Sequence, residues 1–264
     1  MTDKANRIEP RLLKGFRDYL PEDMRPRQQM INTIAEVFER SGFGPLQTPA
    51  LEYAEVLVGE YGGDAEKLIY RFADNGGRDI ALRYDLTVPL SRVAAQYGNL
   101  PKPFKRYQIA PVWRAEKPGR GRFREFFQCD ADIVGSDSLI SDAECVALDY
   151  NVMTALGIEN VEIRISSRKV LTALGGALGV DDAARLATIF RTIDKLPSQG
   201  REVVEKLLAS EGGCDASQIE TILRFVEIDG DNETKLAAAM DVLGESAAEA
   251  VADLRAVLSY AVAL

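Results

Sequence analysis

Residues 104–134 read FKRYQIAPVWRAEKPGRGRFREFFQCDADIV, and this stretch decides the fold. Two strand-like runs, 104–116 and 122–134, flank Pro118-Gly119-Arg120-Gly121, a loop with turn chemistry. On the second run the side chains sort by parity. One face carries Arg122, Arg124, Phe126, Gln128, Asp130 and Asp132. The other carries Phe123, Glu125, Phe127, Cys129, Ala131 and Ile133 and, Glu125 apart, reads as a core face. A merely solvated face rarely sets its one large aromatic among cations and acids. From Phe126 to Asp132 a strand covers about 20 Å, which suits an elongated ligand with anionic, flat and hydrogen-bonding parts. On the first run Arg114 and Glu116 share a parity, and the hairpin brings them beside Arg122 and Arg124. Arginine forks bind phosphate or carboxylate oxygens bidentately. Glu116 can accept from an exocyclic amine, and Phe126 can stack on a base. The alternative is a sheet with one solvated, salt-bridged face. Pro111 requires a bulge or an edge position.

Working outward, residues 1–10 read as a loose leader. Pro21 and Pro26 open a helix to about Arg40, with Met30, Ile31, Ile34, Val37 and Phe38 at helical spacing and Gly42 as its stop. Residues 44–50 (GPLQTPA) read as an extended edge or interface strand. A helical stretch over 53–60 ends at Gly62 and Gly63. Residues 68–72 and 79–85 form a hairpin about Asn75-Gly76-Gly77. A helix runs from Pro89 to about Tyr97, another spans 141–156, and 161–165 (VEIRI) reads as a strand. After about 167 strand signals fade, alanine rises, and glycines punctuate helices capped by Asp181, Asp215 and Asp231. The expected organisation is α+β: a mixed core over 1–166 and a helical subdomain over 167–264.

Composition narrows the chemistry. The chain has 264 residues, 46% hydrophobic and 28% charged, as expected of a globular protein. Histidine is absent, which excludes His-based triads, imidazole general bases and His-ligated zinc. Three cysteines, Cys129, Cys145 and Cys214, form no C-x-x-C pair and read as reduced thiols in packed or semi-buried positions. A net charge of −9 argues against bulk polyanion binding, leaving a local basic site at 114–124. Neither G-x-x-x-x-G-K-[ST] nor a strand-to-helix G-x-G-x-x-G occurs, so side chains on a sheet must hold any phosphate. No apolar run spans a bilayer and the N-terminus carries no apolar signal core, so the expected compartment is the cytoplasm.

Taken together, the stretches resemble a class II aminoacyl-tRNA synthetase of the histidyl-tRNA synthetase family. Residues 14–21 (KGFRDYLP) resemble the family's G-x-R-D-x-x-P opening. Residues 43–51 (FGPLQTPAL) resemble motif 1, with Pro49 as signature proline. Residues 82–87 (LRYDLT) resemble the segment that binds the amino group of histidine. Residues 113–116 (WRAE) through 122–126 (RFREF) resemble motif 2, and 128–132 (QCDAD) the histidine-pocket strand. The likeness runs from about residue 11 to the end.

The resemblance implies roles. Arg114 bridges the substrate carboxylate and the ATP α-phosphate and is the catalytic residue. Glu116 reads the adenine amine, Phe126 stacks on adenine, and Arg122 holds the polyphosphate. Asp85, Leu86, Thr87 and Gln128 hold the α-ammonium side of L-histidine, and Asp132 its imidazole. ATP, Mg²⁺, tRNA-His and a homodimer through motif 1 follow by the same implication. A carboxylate nucleophile is already anionic, so the chemistry needs no general base. The family's Arg-Gly-Leu-Asp-Tyr-Tyr segment, its motif 3 and its anticodon-binding domain are not found, and 167–264 resembles the family's insertion. The expectation is therefore an incomplete catalytic domain, weak or inactive alone. Two alternatives stand: a non-catalytic paralogue such as the regulatory subunit of ATP phosphoribosyltransferase, and an RNA-binding module using 120–124. Arg83 reads as functional or as a salt-bridged sheet residue, Trp113 as core, and Asp130 as structural or exposed.

Overall fold

The computed structural model describes residues 8–59 and 66–264. The chain divides into two compact units. The first comprises 1–141 and 145–161, the second 142–144 and 162–264. The boundary falls between 161 and 162, where the sequence placed it at 166–167.

In the first unit the long helix α1 is Pro21–Arg40, with Pro21 in its first turn where a missing N–H costs nothing. Ile34, Val37 and Phe38 form its buried stripe. They pack with Phe43, Tyr107 and Leu148, against which Ala131 and Ile133 also rest. Gly42 takes φ +82° and turns the chain out of the helix. Strand β1 is Gly44–Pro45 and β2 is Leu51–Tyr53; of the extended segment expected over 44–50 only the first two residues form a strand. The short helix α2 is Ala54–Leu57; the rest of the expected helical stretch from 60 and the stop at Gly62 and Gly63 lie outside the described residues. Positions 1–7 of the expected leader also lie outside them, and 8–10 are irregular.

Strands β3, Arg71–Ala73, and β4, Asp79–Leu82, form the expected antiparallel hairpin. Asp74 Oδ1 closes its turn by accepting from the N–H groups of Gly76 and Arg78, both at 2.9 Å. The first sheet has the order β2-β4-β3. Helix α3, Thr87–Gln96, buries Pro89, Leu90 and Val93.

Strands β5, Phe104–Trp113, and β6, Glu125–Val134, pair antiparallel without a break from Phe104↔Val134 to Trp113↔Glu125. With β1 joined parallel to β5 they make the second sheet, β1-β5-β6. Pro111 produces no bulge: it pairs with Phe127, beyond the two residues of β5 that β1 covers. The Pro111 carbonyl faces Arg83 Nε at 2.9 Å, so its donorless nitrogen lies on the open side. The expected core face of β6 is only half right. Ala131 and Ile133 are covered, but Phe127 and Cys129 are exposed. The α1 stripe ends before them; Phe127 meets instead the Arg27 guanidinium, 4.6 Å from its ring.

Helix α4, Leu139–Ala155, is capped by Ser138. Residues 161–165 alternate in exposure as a strand would, yet form none, because no described segment pairs with them.

The second unit, residues 142–144 apart, is helical: α5 Arg168–Ala177, α6 Ala183–Ile193, α7 Leu196–Gln199, α8 Arg201–Ser210, α9 Ala216–Val226, α10 Asn232–Leu243 and, after a 3-10 turn at Gly244–Ala247, α11 Ala248–Ala263. Its core gathers Leu174, Ile189, Leu208 and Ile222, all buried. Asp215 forms a full capping box with Gln218, and Asp231 caps α10. At α6 the cap is Asp182, whose carboxylate takes the Arg185 N–H at 2.6 Å, and not the expected Asp181.

Candidate active site

Regular pairing of β6 keeps Phe126, Gln128, Asp130 and Asp132 on one face, as parity required. Arg114 reaches the same face from the end of β5: its guanidinium carbon lies 4.3 Å from the Tyr84 ring and 5.1 Å from the Phe126 ring. Its Nε donates to the Tyr84 carbonyl at 3.2 Å. A half-buried arginine held between two rings keeps a fixed aim, which an anion-binding group needs. Phe126 itself packs on Leu86, Ala110 and Val112.

The hairpin loop is ordered by its own charges. Arg122 Nε meets Glu116 Oε2 at 3.0 Å across the turn. Arg124 turns away from this work. Its Nε donates to the Glu116 carbonyl at 3.0 Å and its Nη1 to the Lys14 carbonyl at 3.2 Å. Its own N–H donates to the Gly15 carbonyl at 2.8 Å. Arg124 thus sews the opening segment to the loop, and Gly15, at φ +89°, admits it: a Cβ there would lie 2.9 Å from the Arg124 side chain.

Across the face, Asp85 Oδ1 accepts from the N–H groups of Thr87 at 3.1 Å and Val88 at 3.0 Å, capping α3. Thr87 is exposed, and it and Asp132 line a groove of about 520 Å³ together with Leu90, Ala94, Ala131, Ile133 and Cys145; Asp85, Arg114, Phe126 and Gln128 do not line it. The Leu86 side chain is not at the pocket: it is wholly buried, and only its backbone is available to the site. Gln128 Oε1 is buried without a hydrogen-bond partner. Burial pushes Asp130 and Asp132 above the usual carboxylate range, and Arg106 pulls both back. Asp130, expected to be structural or exposed, is half-buried.

Sequence reasoning missed Arg106. It stands directly opposite Asp132 on the paired strands, and its Nη2 lies 2.6 Å from Asp132 Oδ2. The signal was available, because Arg106 shares parity with Arg114 on β5. Arg83 proves structural. It is 4% exposed and donates to the carbonyls of Pro111 and Thr48 at 2.9 and 2.8 Å. Trp113 is half-buried and donates its indole N–H to Glu125 at 2.6 Å. Among the described residues no three acidic or sulfur side chains converge as a metal site.

Comparison with solved structures defines the class. The chain superposes on the crystal structure of histidyl-tRNA synthetase from Nostoc sp. PCC 7120 with a TM-score of 0.85 and 32% identity, over 97% of this chain and 58% of that one. The α+β architecture is that of an aminoacyl-tRNA synthetase. A Bacillus halodurans structure described as an ATP phosphoribosyltransferase regulatory subunit/histidyl-tRNA synthetase shares the fold, with a TM-score of 0.81 at 19% identity, covering 100% of this chain and 66% of that one. The histidine--tRNA ligase of Rhodopirellula baltica is 45% identical over 259 residues, 97% of this chain and 58% of that protein. The family model "Histidyl-tRNA synthetase" matches residues 15–264, and the chain belongs to that family. It spans a little under three-fifths of the length of such curated relatives.

Proposed function

We propose that this chain provides the ATP- and histidine-binding half of a histidine--tRNA ligase. The observation that carries the reading is Arg114, held between Tyr84 and Phe126 on the face shared by Gln128 and Asp132. A carboxylate oxygen of histidine attacks the α-phosphorus of ATP. The new P–O bond forms as the bond to the β-phosphate oxygen breaks, and pyrophosphate leaves with the electron pair. Arg114 lies where it can align the two anions and stabilise charge at phosphorus. Arg122 is placed to exchange Glu116 for the polyphosphate, which frees Glu116 for the adenine amine. Phe126 offers a ring to the base. Asp85, Thr87, Gln128 and Asp132 supply acceptors for the ammonium and imidazole, with Leu86 contributing backbone alone. Transfer of histidine to tRNA-His completes the reaction.

Among the described residues no three acidic or sulfur side chains form a cage for Mg²⁺; an ion of that kind would be carried by nucleotide phosphates. A homodimer is part of the proposal: exposed Leu51 ends the motif 1 segment and exposed Tyr53 follows it. So is a cytoplasmic location; among the described residues no helix is long and apolar enough to cross a membrane.

Histidine-dependent ATP–pyrophosphate exchange tests the reading, together with separate binding of histidine, ATP and tRNA. The chain alone is expected to bind histidine and ATP and to exchange weakly or not at all. Exchange as fast as that of a full synthetase would refute incompleteness. Histidine binding without ATP binding would favour the regulatory paralogue, and tRNA binding alone an RNA module.

A further inference from the structure

Arg106 has no exposed surface, and its guanidinium is shared between two parts of the site. Nη2 meets Asp132 Oδ2 on β6 at 2.6 Å and donates to the Leu86 carbonyl at 3.2 Å. Leu86 lies inside the turn that Asp85 caps, so one cation ties the 85–87 turn to the acidic strand. Nε and Nη1 are buried without hydrogen-bond partners. Packing alone does not call for such a residue, because an apolar side chain of similar volume is usually as stabilising as a buried ion pair.

The acids around it give the reason. Asp85 and Leu86 approach from the turn before α3, Asp130 and Asp132 from β6, and Arg114 from the end of β5. Asp85, Asp130 and Asp132 all act electrostatically on Arg106. Without this cation, burial and mutual repulsion would drive Asp130 and Asp132 toward their neutral forms, which attract an ammonium or imidazolium poorly. We propose that Arg106 is a positioning residue: it fixes Asp132 and the 85–87 turn against one guanidinium, so that the pocket presents an ionised acid to the cationic groups of histidine. This rests on the reading of this face as a histidine site.

The test has two arms. Carboxyl carbon NMR of the ligand-free chain follows the titration of Asp132 and Asp130 in the parent, Arg106→Lys and Arg106→Gln. Calorimetry then gives L-histidine affinity across pH for the same proteins, each compared with the parent at the same pH so that titration of histidine cancels. In Arg106→Gln the Asp132 titration moves to higher pH, and affinity falls about tenfold further near pH 6 than near pH 8. Arg106→Lys restores most of the profile. An unmoved Asp132 titration, or an affinity loss equal at every pH, overturns the proposal and leaves Arg106 a packing residue. Should Arg106→Gln not fold, Arg106→Lys decides: it keeps the charge but cannot reach both Leu86 and Asp132, so a smaller shift in the same direction is expected, and no shift overturns the proposal. A parent that binds no histidine refutes the histidine site, while the ligand-free titration still judges the hold of Arg106 on Asp132.

Discussion

Replacing Arg83 with methionine should cost the first unit more stability than any other single change near the site. Arg83 follows β4 in the smaller sheet, yet its bonds run to the larger one and to the segment between β1 and β2. Its Nε donates to Pro111 on β5 at 2.9 Å and its Nη1 to the Thr48 carbonyl at 2.8 Å, with Pro49 a longer contact at 3.4 Å. Its own carbonyl accepts the Trp113 N–H at 3.2 Å. Methionine fills similar space but leaves two carbonyls without their donor. At about 1.5–3 kcal/mol for each hydrogen bond to a charged group, the loss of two is about 3–6 kcal/mol. Trp113 is the single tryptophan of the chain and lies in the first unit, so its fluorescence reports unfolding of that unit. With a urea slope of about 2 kcal/mol/M the midpoint should fall by about 2 M. Arg83→Lys, which can satisfy one carbonyl but not two in fixed directions, should fall between. A midpoint within about 0.3 M of the parent would show that Arg83 does not pin the two sheets together.

Gly15→Ala places a methyl against the Arg124 side chain in a left-handed backbone; thermal unfolding should move down by about 3–6 °C, and an unchanged melting point would deny the stitch. Asp215→Ala breaks the capping box of α9 and should cost about 1 kcal/mol, read as faster amide exchange at 216–218. Asp130→Asn should stabilise the first unit at neutral pH. Burial raises the folded pKa of Asp130, so its ionised form opposes folding above that raised value. The gain should fade as pH falls through the raised value toward the ordinary carboxylate range, and urea midpoints across pH would detect this; a gain that persists in acid contradicts the assignment.

Legibility in the sequence followed the range of each force. Helix α1 was readable because Ile34, Val37 and Phe38 repeat at helical spacing and Pro21 and Gly42 mark its ends. The placing of Phe126, Gln128, Asp130 and Asp132 on one face of β6 was readable because strand parity is strict wherever pairing is regular. What failed depended on partners distant in sequence. Residues 161–165 have the alternation of a strand and no neighbour to bond among the described residues. Phe127 and Cys129 have the parity of a core but no apolar cover, since the apolar stripe of α1 packs with Ala131 and Ile133 and Phe127 meets only the Arg27 guanidinium of that helix. Arg124 has the parity of a ligand group, but the Lys14 and Gly15 carbonyls claim it. Arg106 escaped notice because its meaning appears only when Asp132 is set opposite. Asp181 and Asp182 are the same residue type side by side, and only the backbone angles of the second make it the cap.

The contact between Arg122 and Glu116 has a consequence for how the loop greets an anion. Arg122 is 67% exposed, so the bond is worth no more than about 1 kcal/mol. A clasp that weak still narrows the wandering of both side chains before anything arrives. A phosphate arriving at Arg122, as proposed, would displace a neighbour instead of recruiting a loose chain, and the entropy of ordering would be largely settled in advance.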